Sequence, residues 1–239
     1  MDVENKNNDS PLGKYFNKQR ALKLKICGMK DFENIKEVSA LQPDYLGFIF
    51  YPQSKRNFSG EIPKISDKII KTGVFVNESI DFIVKKVKEY DLKAIQLHGD
   101  ENPKYCADLQ RIEYFFESDK MNLNQVQIIK VFSVGEIFDF SILKDYEGVC
   151  DYFLFDTKGK EKGGNGITFN WKQLKNYPSD KPYFLSGGIG LEEVEDIDEF
   201  FNTKASEKCF AIDVNSKFED KSGLKNLEKL KLFIEGLKL

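Results

Sequence analysis

From Leu22 onward, short apolar runs alternate with sets of apolar residues at helical spacing. The run Leu22 to Ile26 predicts a first strand, closed by Cys27 and Gly28. Asp31 then reads as the N-cap of a helix reaching Leu41, with Phe32, Ile35 and Val38 on its apolar face. Tyr45 to Phe50 is almost continuously apolar, as a parallel strand covered on both faces should be. The loop Tyr51 to Phe58 follows it. Lys71 to Val76 predicts the third strand, and Ser79 to Tyr90 a helix carrying Ile80, Ile83, Val84 and Val87. Ala94 to Leu97 is the fourth strand, and Pro103 suits the first turn of the helix after it.

The second half continues the alternation less clearly. Residues 106–127 read as a longer connection into a fifth strand at Val126 to Val131. Ile137 to Tyr146 reads as a helix, and Tyr152 to Phe155 as a strand that ends at Asp156. A glycine-rich loop, Lys158 to Gly166, comes next. The remaining strands are Tyr183 to Leu185 and Cys209 to Val214, followed by helices at Leu191 to Phe201 and Leu224 to Leu237. Eight strand–helix units predict the α/β class and a (βα)8 TIM barrel, one catalytic domain over residues 21–239. Residues 1–20 are polar, rich in Asn and Lys, and read as a flexible N-terminal extension outside it. A doubly wound sheet is the competing architecture, but no G-x-G-x-x-G follows the first strand.

Composition narrows the class. A length of 239 residues, 41 % hydrophobic, fits one large domain. No run approaches the ~18 apolar residues of a membrane span. Residues 1–20 lack the apolar core of a signal peptide, so a soluble cytoplasmic protein without a membrane partner is expected. A net charge of -3 argues against nucleic-acid binding. Cys27, Cys106, Cys150 and Cys209 show no CxxC spacing, which fits a reducing compartment rather than a zinc site or a disulfide framework. His98 is the only histidine, which excludes metal sites built on a pair of them.

A barrel carries its chemistry at the carboxyl ends of its strands. Here those ends hold Cys27 on the first strand, Arg56 after the second, Gln96 and His98 on the fourth, Asp156 on the sixth and Asp213 on the eighth. A lone cysteine after a strand is usually a small core residue. A thiol and a carboxylic acid facing each other across a barrel mouth suit proton transfer at two positions of one substrate. Gly187 and Gly188 end the seventh strand; two glycines there form either a tight turn or a phosphate cradle before a helix. Arg56 is either a solvated loop charge or a bidentate clamp for a carboxylate. His98 is either a satisfied structural histidine or part of the site.

The segments KICGM at 25–29, DYLGFIFYPQSKRNFS at 44–59, GVFVN at 73–77 and IQLHGDE at 95–101 carry a resemblance. So do LFDTKG at 154–159, GGNGITFNW at 163–171, FLSGGI at 184–189 and AIDVNS at 211–216. In this order the chain resembles the phosphoribosylanthranilate isomerases of tryptophan biosynthesis, over nearly its whole length from residue 22. The resemblance implies an Amadori rearrangement of N-(5-phosphoribosyl)anthranilate to 1-(2-carboxyphenylamino)-1-deoxyribulose 5-phosphate. It implies general acid–base catalysis without cofactor or metal. By similarity, Asp156 is the acid that opens the furanose ring and Cys27 the base that takes the C2′ proton. Arg56 matches the arginine near the anthranilate carboxylate. Gln96, His98 and Asp213 match residues lining the mouth, and Gly164, Gly166, Gly187, Gly188 and Ser216 match the substrate loops and phosphate end. The family's D-V-S-S-G stands here as Asp213-Val214-Asn215-Ser216-Lys217, and its G-G-T-G as Gly163-Gly164-Asn165-Gly166.

Two rival readings remain. The aldose–ketose isomerase of histidine synthesis has a similar barrel but uses two aspartates, whereas the first strand here ends in cysteine. The presence of both Cys27 and Asp156 argues against a catalytically silent barrel that only binds a phosphorylated metabolite or a protein partner. The expected partner is a small phosphosugar, and the chain is expected to be a monomer or a homodimer.

Overall fold

The computed structural model describes residues 22–111, 126–157 and 168–237. Eight parallel strands close into a barrel in chain order. They are β1 (Lys23–Ile26), β2 (Tyr45–Ile49), β3 (Ile70–Phe75), β4 (Ala94–Leu97), β5 (Gln127–Val134), β6 (Tyr152–Thr157), β7 (Tyr183–Leu185) and β8 (Cys209–Val214). The barrel shuts where β1 pairs with β8, Lys25 beside Asp213 and Ile26 beside Val214. Outside it lie α1 (Phe32–Ser39), α2 (Ile80–Tyr90), α3 (Pro103–Arg111), α4 (Val194–Phe201) and α5 (Leu227–Leu237). The extension at 1–20, the connection at 112–125 and most of the glycine-rich loop, with Gly164 and Gly166, lie outside the described residues.

Two apolar layers hold the fold. The larger fills the space between strands and helices, from Ile26 and Ile35 round to Phe233. The smaller fills the barrel itself with Tyr45, Ala94, Ile129, Leu154, Phe184 and Ala211. Strand side chains alternate between faces, so the residue two places after each of these also points inward, one layer nearer the mouth. Those positions are Gly47, Gln96, Val131, Asp156, Ser186 and Asp213. The period that packs the floor with apolar groups therefore lifts the polar ones into the mouth.

Several expected elements differ in detail. Asp31 caps α1 as expected, accepting from the Asn34 amide at 3.0 Å, but Phe32 lies outward and is exposed. The β2–β3 connection contains no helix. The expected helix at Ile137 to Tyr146 is a 3-10 helix over Phe140–Tyr146; Asp139 caps it, and Ile137 is almost wholly exposed. β5 runs past the expected Val131 to Val134, where Phe132, Ser133 and Val134 pair with Phe155, Asp156 and Thr157 of β6; Lys130 within it is buried against Glu101 at 2.9 Å. The last helix starts at Leu227, not Leu224. Leu224–Lys225 instead forms β10, antiparallel to β9 (Glu219–Lys221), with Gly223 at φ +86° in the turn. This small hairpin packs on α1, where the Asn34 side chain donates to the Lys225 carbonyl at 2.9 Å and accepts from its amide at 2.7 Å. Among the described residues, no helix is long and apolar enough to cross a membrane.

Candidate active site

The carboxyl ends of the strands enclose a cavity of about 430 Å3. Cys27, Arg56, Gln96, His98, Asp156, Gly187, Gly188, Asp213 and Ser216 all line it. Every expected site residue within the described segments is thus brought to one place.

Cys27 lies just beyond β1, its amide donating to Val214 O at 2.9 Å. Its thiol is buried at the cavity floor against β2. A Cβ on Gly47 would sit 2.6 Å from Cys27 Sγ and 3.1 Å from its Cα, so only glycine leaves room for the sulfur. Gly47→Ala is expected to displace the thiol, costing about 1–3 kcal/mol of stability from overpacking and most of the turnover. Denaturant unfolding and steady-state kinetics on one preparation check both. Burial pushes the Cys27 thiol above its ordinary value; Lys25 opposes that shift and Asp213 adds to it.

Asp156 and His98 form the opposite wall. His98 Nε2 lies 3.4 Å from Asp156 Oδ2, and Asp156 Oδ1 accepts from the Thr157 amide at 3.0 Å. Gln96 Nε2 lies 3.2 Å from His98 Nδ1, an arrangement in which Nδ1 accepts and Nε2 carries the proton that faces Asp156. His98 itself is held by the loop beneath it. Glu101, buried and paired with Lys130, accepts from the amides of Gly99 and Asn77.

Arg56 is no loose loop charge. Its Nε and Nη2 grip Glu219 at 2.8 and 2.7 Å, which fixes the plane of the guanidinium. Glu219 also accepts from Lys225 at 2.8 Å, and Lys225 donates to Asn215 Oδ1 at 2.7 Å. Burial brings Lys225 down to about 8 against the pull of Glu219. Burial would raise Glu219, but Arg56 and Lys225 outweigh it and hold the carboxyl below its ordinary range. A carboxyl whose pKa is lower folded than unfolded adds stability above the unfolded value of about 4.3 and loses it as pH falls through the folded value. Relative to Glu219→Gln, the native chain should therefore lose stability between about pH 5 and pH 3. Denaturant unfolding at both pH values checks this, and a constant gap between the two proteins would contradict it.

At the seventh strand, Gly187 and Gly188 have φ of +93° and +69°, and a Cβ on Gly187 would collide with Thr157. A helix was expected directly after them. A 3-10 turn at Leu191–Glu193 intervenes before α4, and the Gly190 amide already donates to Glu193 Oε2 at 2.7 Å. What this stretch presents to the mouth is accordingly the glycine turn rather than the end of a long helix.

Lys25, Lys225, Glu219 and Ser186 were not anticipated. Lysine inside a strand and charges after β8 look solvated in a sequence. The signal for Lys25 was available: it precedes Cys27 by two and so shares its inward face.

The model of the N-(5′-phosphoribosyl)anthranilate (PRA) isomerase family matches residues 24–236. The chain belongs to that family. It is an isomerase of tryptophan biosynthesis. The N-(5′-phosphoribosyl)anthranilate isomerase of Parabacteroides distasonis is 40 % identical over 223 residues, covering 90 % of this chain and 92 % of that protein. The solved isomerase of Thermotoga maritima superposes with a TM-score of 0.70 at 28 % identity, covering 91 % of this chain and 99 % of that one. A solved isomerase in complex with reduced 1-(o-carboxyphenylamino)-1-deoxyribulose 5-phosphate aligns with a TM-score of 0.66 at 26 % identity, over 91 % of this chain and 99 % of that one.

Proposed function

We propose that this mouth carries out the Amadori rearrangement of N-(5-phosphoribosyl)anthranilate with Asp156 as general acid and Cys27 as general base. Asp156 protonates the furanose ring oxygen, and the ring opens to a Schiff base. The Cys27 thiolate then removes the C2′ proton, and the enolamine formed tautomerises to the ketone. The observation that carries this reading is the placement of a thiol on β1 and a carboxyl group on β6 in the walls of one 430 Å3 cavity. One substrate can meet both groups in a single pose.

The other residues take positioning roles. Arg56, its plane fixed by Glu219, faces the anthranilate carboxylate. Gly188 and Ser216 receive the phosphate, joined by Gly164 and Gly166 from the loop after β6. Gln96, His98 and Asp213 orient the sugar between the two ends. Lysine cannot restore a planar bidentate contact, so Arg56→Lys is expected to raise KM about tenfold with a smaller effect on kcat, as initial rates over a substrate series would show.

In this reading the chain works as a monomer or a homodimer. A dimeric isomerase from Thermotoga maritima is among the solved relatives. Cys27, Cys106, Cys150 and Cys209 are free and buried, in keeping with a cytoplasmic setting. Residues 21–239 are the catalytic unit, with 1–20 as an extension outside it. The test is turnover of freshly generated substrate, with the product analysed by mass and by borohydride reduction. An isomer of unchanged mass bearing a new ketone is expected. Substrate decay no faster than the spontaneous rate would overturn the proposal.

A further inference from the structure

One buried cation has no task in the reaction as read above. Lys25 stands on β1 two residues before Cys27, has no exposed surface, and shares the inward face. A lone buried ammonium is costly, and an apolar side chain of similar length would fill the same space without that cost. Its ammonium donates to Asp213 Oδ1 at 2.8 Å, and Asp213 Oδ2 accepts from Ser186 Oγ at 3.3 Å. An ammonium has three N–H donors. Among the described residues, Asp213 is the one oxygen partner of Lys25, and the charge of the same ammonium opposes the burial that pushes the Cys27 thiol up.

Lys225 is the other cation acting on the sulfur. Its three donors are already taken by Asn215 O at 3.2 Å, Asn215 Oδ1 at 2.7 Å and Glu219 Oε1 at 2.8 Å. Arg56 stands behind it on the same Glu219. On β2, Gly47 faces the sulfur without a side chain. On the far side, Asp156 and His98 act on Asp213. Lys25 is thus the cation with donors to spare for a thiolate.

We propose that Lys25 is the positioning residue that makes Cys27 a usable base, its ammonium swinging on the Asp213 anchor to meet the thiolate. This deepens the acid–base reading and rests on it for the thiolate's purpose. The thiol first gives its proton to water at the mouth. The thiolate takes the C2′ proton and is a thiol again, while Asp156 has given one proton to the ring oxygen. Between turnovers the sulfur returns its proton to solvent and Asp156 regains one. Lys25 keeps all its protons throughout.

The experiment reads the Cys27 thiol in the full chain without substrate. Iodoacetamide alkylation is followed from pH 6 to 10, with the Cys27 peptide resolved by mass spectrometry. Asp213→Asn removes a like charge and frees the ammonium, and should bring the alkylation midpoint down by about one pH unit. Lys25→Met combined with Asp213→Asn removes both charges and should raise the midpoint from there by clearly more than about one unit, to above the native value. The low-pH limb of kcat/KM should move in step. If Asp213→Asn does not fold with its stranded lysine, the double variant is compared with the native chain, and its midpoint should lie higher. A purely structural ion pair would change the melting temperature and leave the midpoints equal, which overturns the proposal. Failure of the underlying reading is distinct, since it would appear as turnover surviving in Cys27→Ser.

Discussion

Cys27→Ser is expected to lower kcat by about 10²- to 10⁴-fold, the usual worth of a positioned general base, with little change in KM. Serine fits the space, because the sulfur already sits against the bare face of Gly47. The loss is therefore chemical rather than steric. A hydroxyl gives up its proton far less readily than a thiol, so at neutral pH almost no alkoxide is available to take the C2′ proton. The free thiol is itself pushed up by burial, with Lys25 working against that. Activity of the native chain should thus climb with pH across the neutral range until the thiolate dominates. Cys27→Ser should lack that climb. Steady-state kinetics of both proteins over pH 6 to 9 measure the two effects together.

Asp156→Asn is expected to cost a similar 10²- to 10⁴-fold in kcat. The amide is nearly isosteric and its oxygen can keep the contact with the Thr157 amide, so binding of a product analogue should change little. What the amide lacks is a proton to deliver to the ring oxygen. Cys27 alkylation should keep its native pH midpoint to within a few tenths of a unit. That separates loss of the acid from a collapse of the mouth, which would disturb both walls.

Much of the fold was legible because two periods, 2 and about 3.6, are written into the apolar positions. The strands Ala94–Leu97, Tyr183–Leu185 and Cys209–Val214 match their expected bounds. Strand bounds shifted where pairing carries two strands on together: Phe132, Ser133 and Val134 of β5, past its expected end, pair with Phe155, Asp156 and Thr157 of β6. Short connections were harder. Asp139 caps a 3-10 turn packed by Phe138 and Phe140, and that spacing mimics an amphipathic helix. The β9–β10 hairpin was hidden because Leu224 falls in phase with α5, while Gly223 and Asn226 break the helix before Leu227.

The site was legible to the extent that its residues stand at strand ends. Gln96, Asp156 and Asp213 follow apolar interior positions by two, Cys27 follows the buried Lys25 by two, and a strand's alternation delivers all four to the mouth. The supporting charges were not legible. Glu219 and Lys225 reach the site through a hairpin whose pairing is tertiary. Their acidic and basic letters look like any solvated surface, although their side chains are buried. Arg56 was read as a clamp, but its fixed orientation depends on Glu219, 163 residues away in the chain.

The most direct test of the account follows the fluorescence decay of freshly generated phosphoribosylanthranilate with the native chain, Asp156→Asn and Cys27→Ala side by side. Fast decay in the native chain, falling to near the spontaneous rate in each variant while both still bind a product analogue, is the predicted result. Native-like decay in either variant would contradict the acid–base pair, and no enzymatic decay in the native chain would contradict the reaction itself.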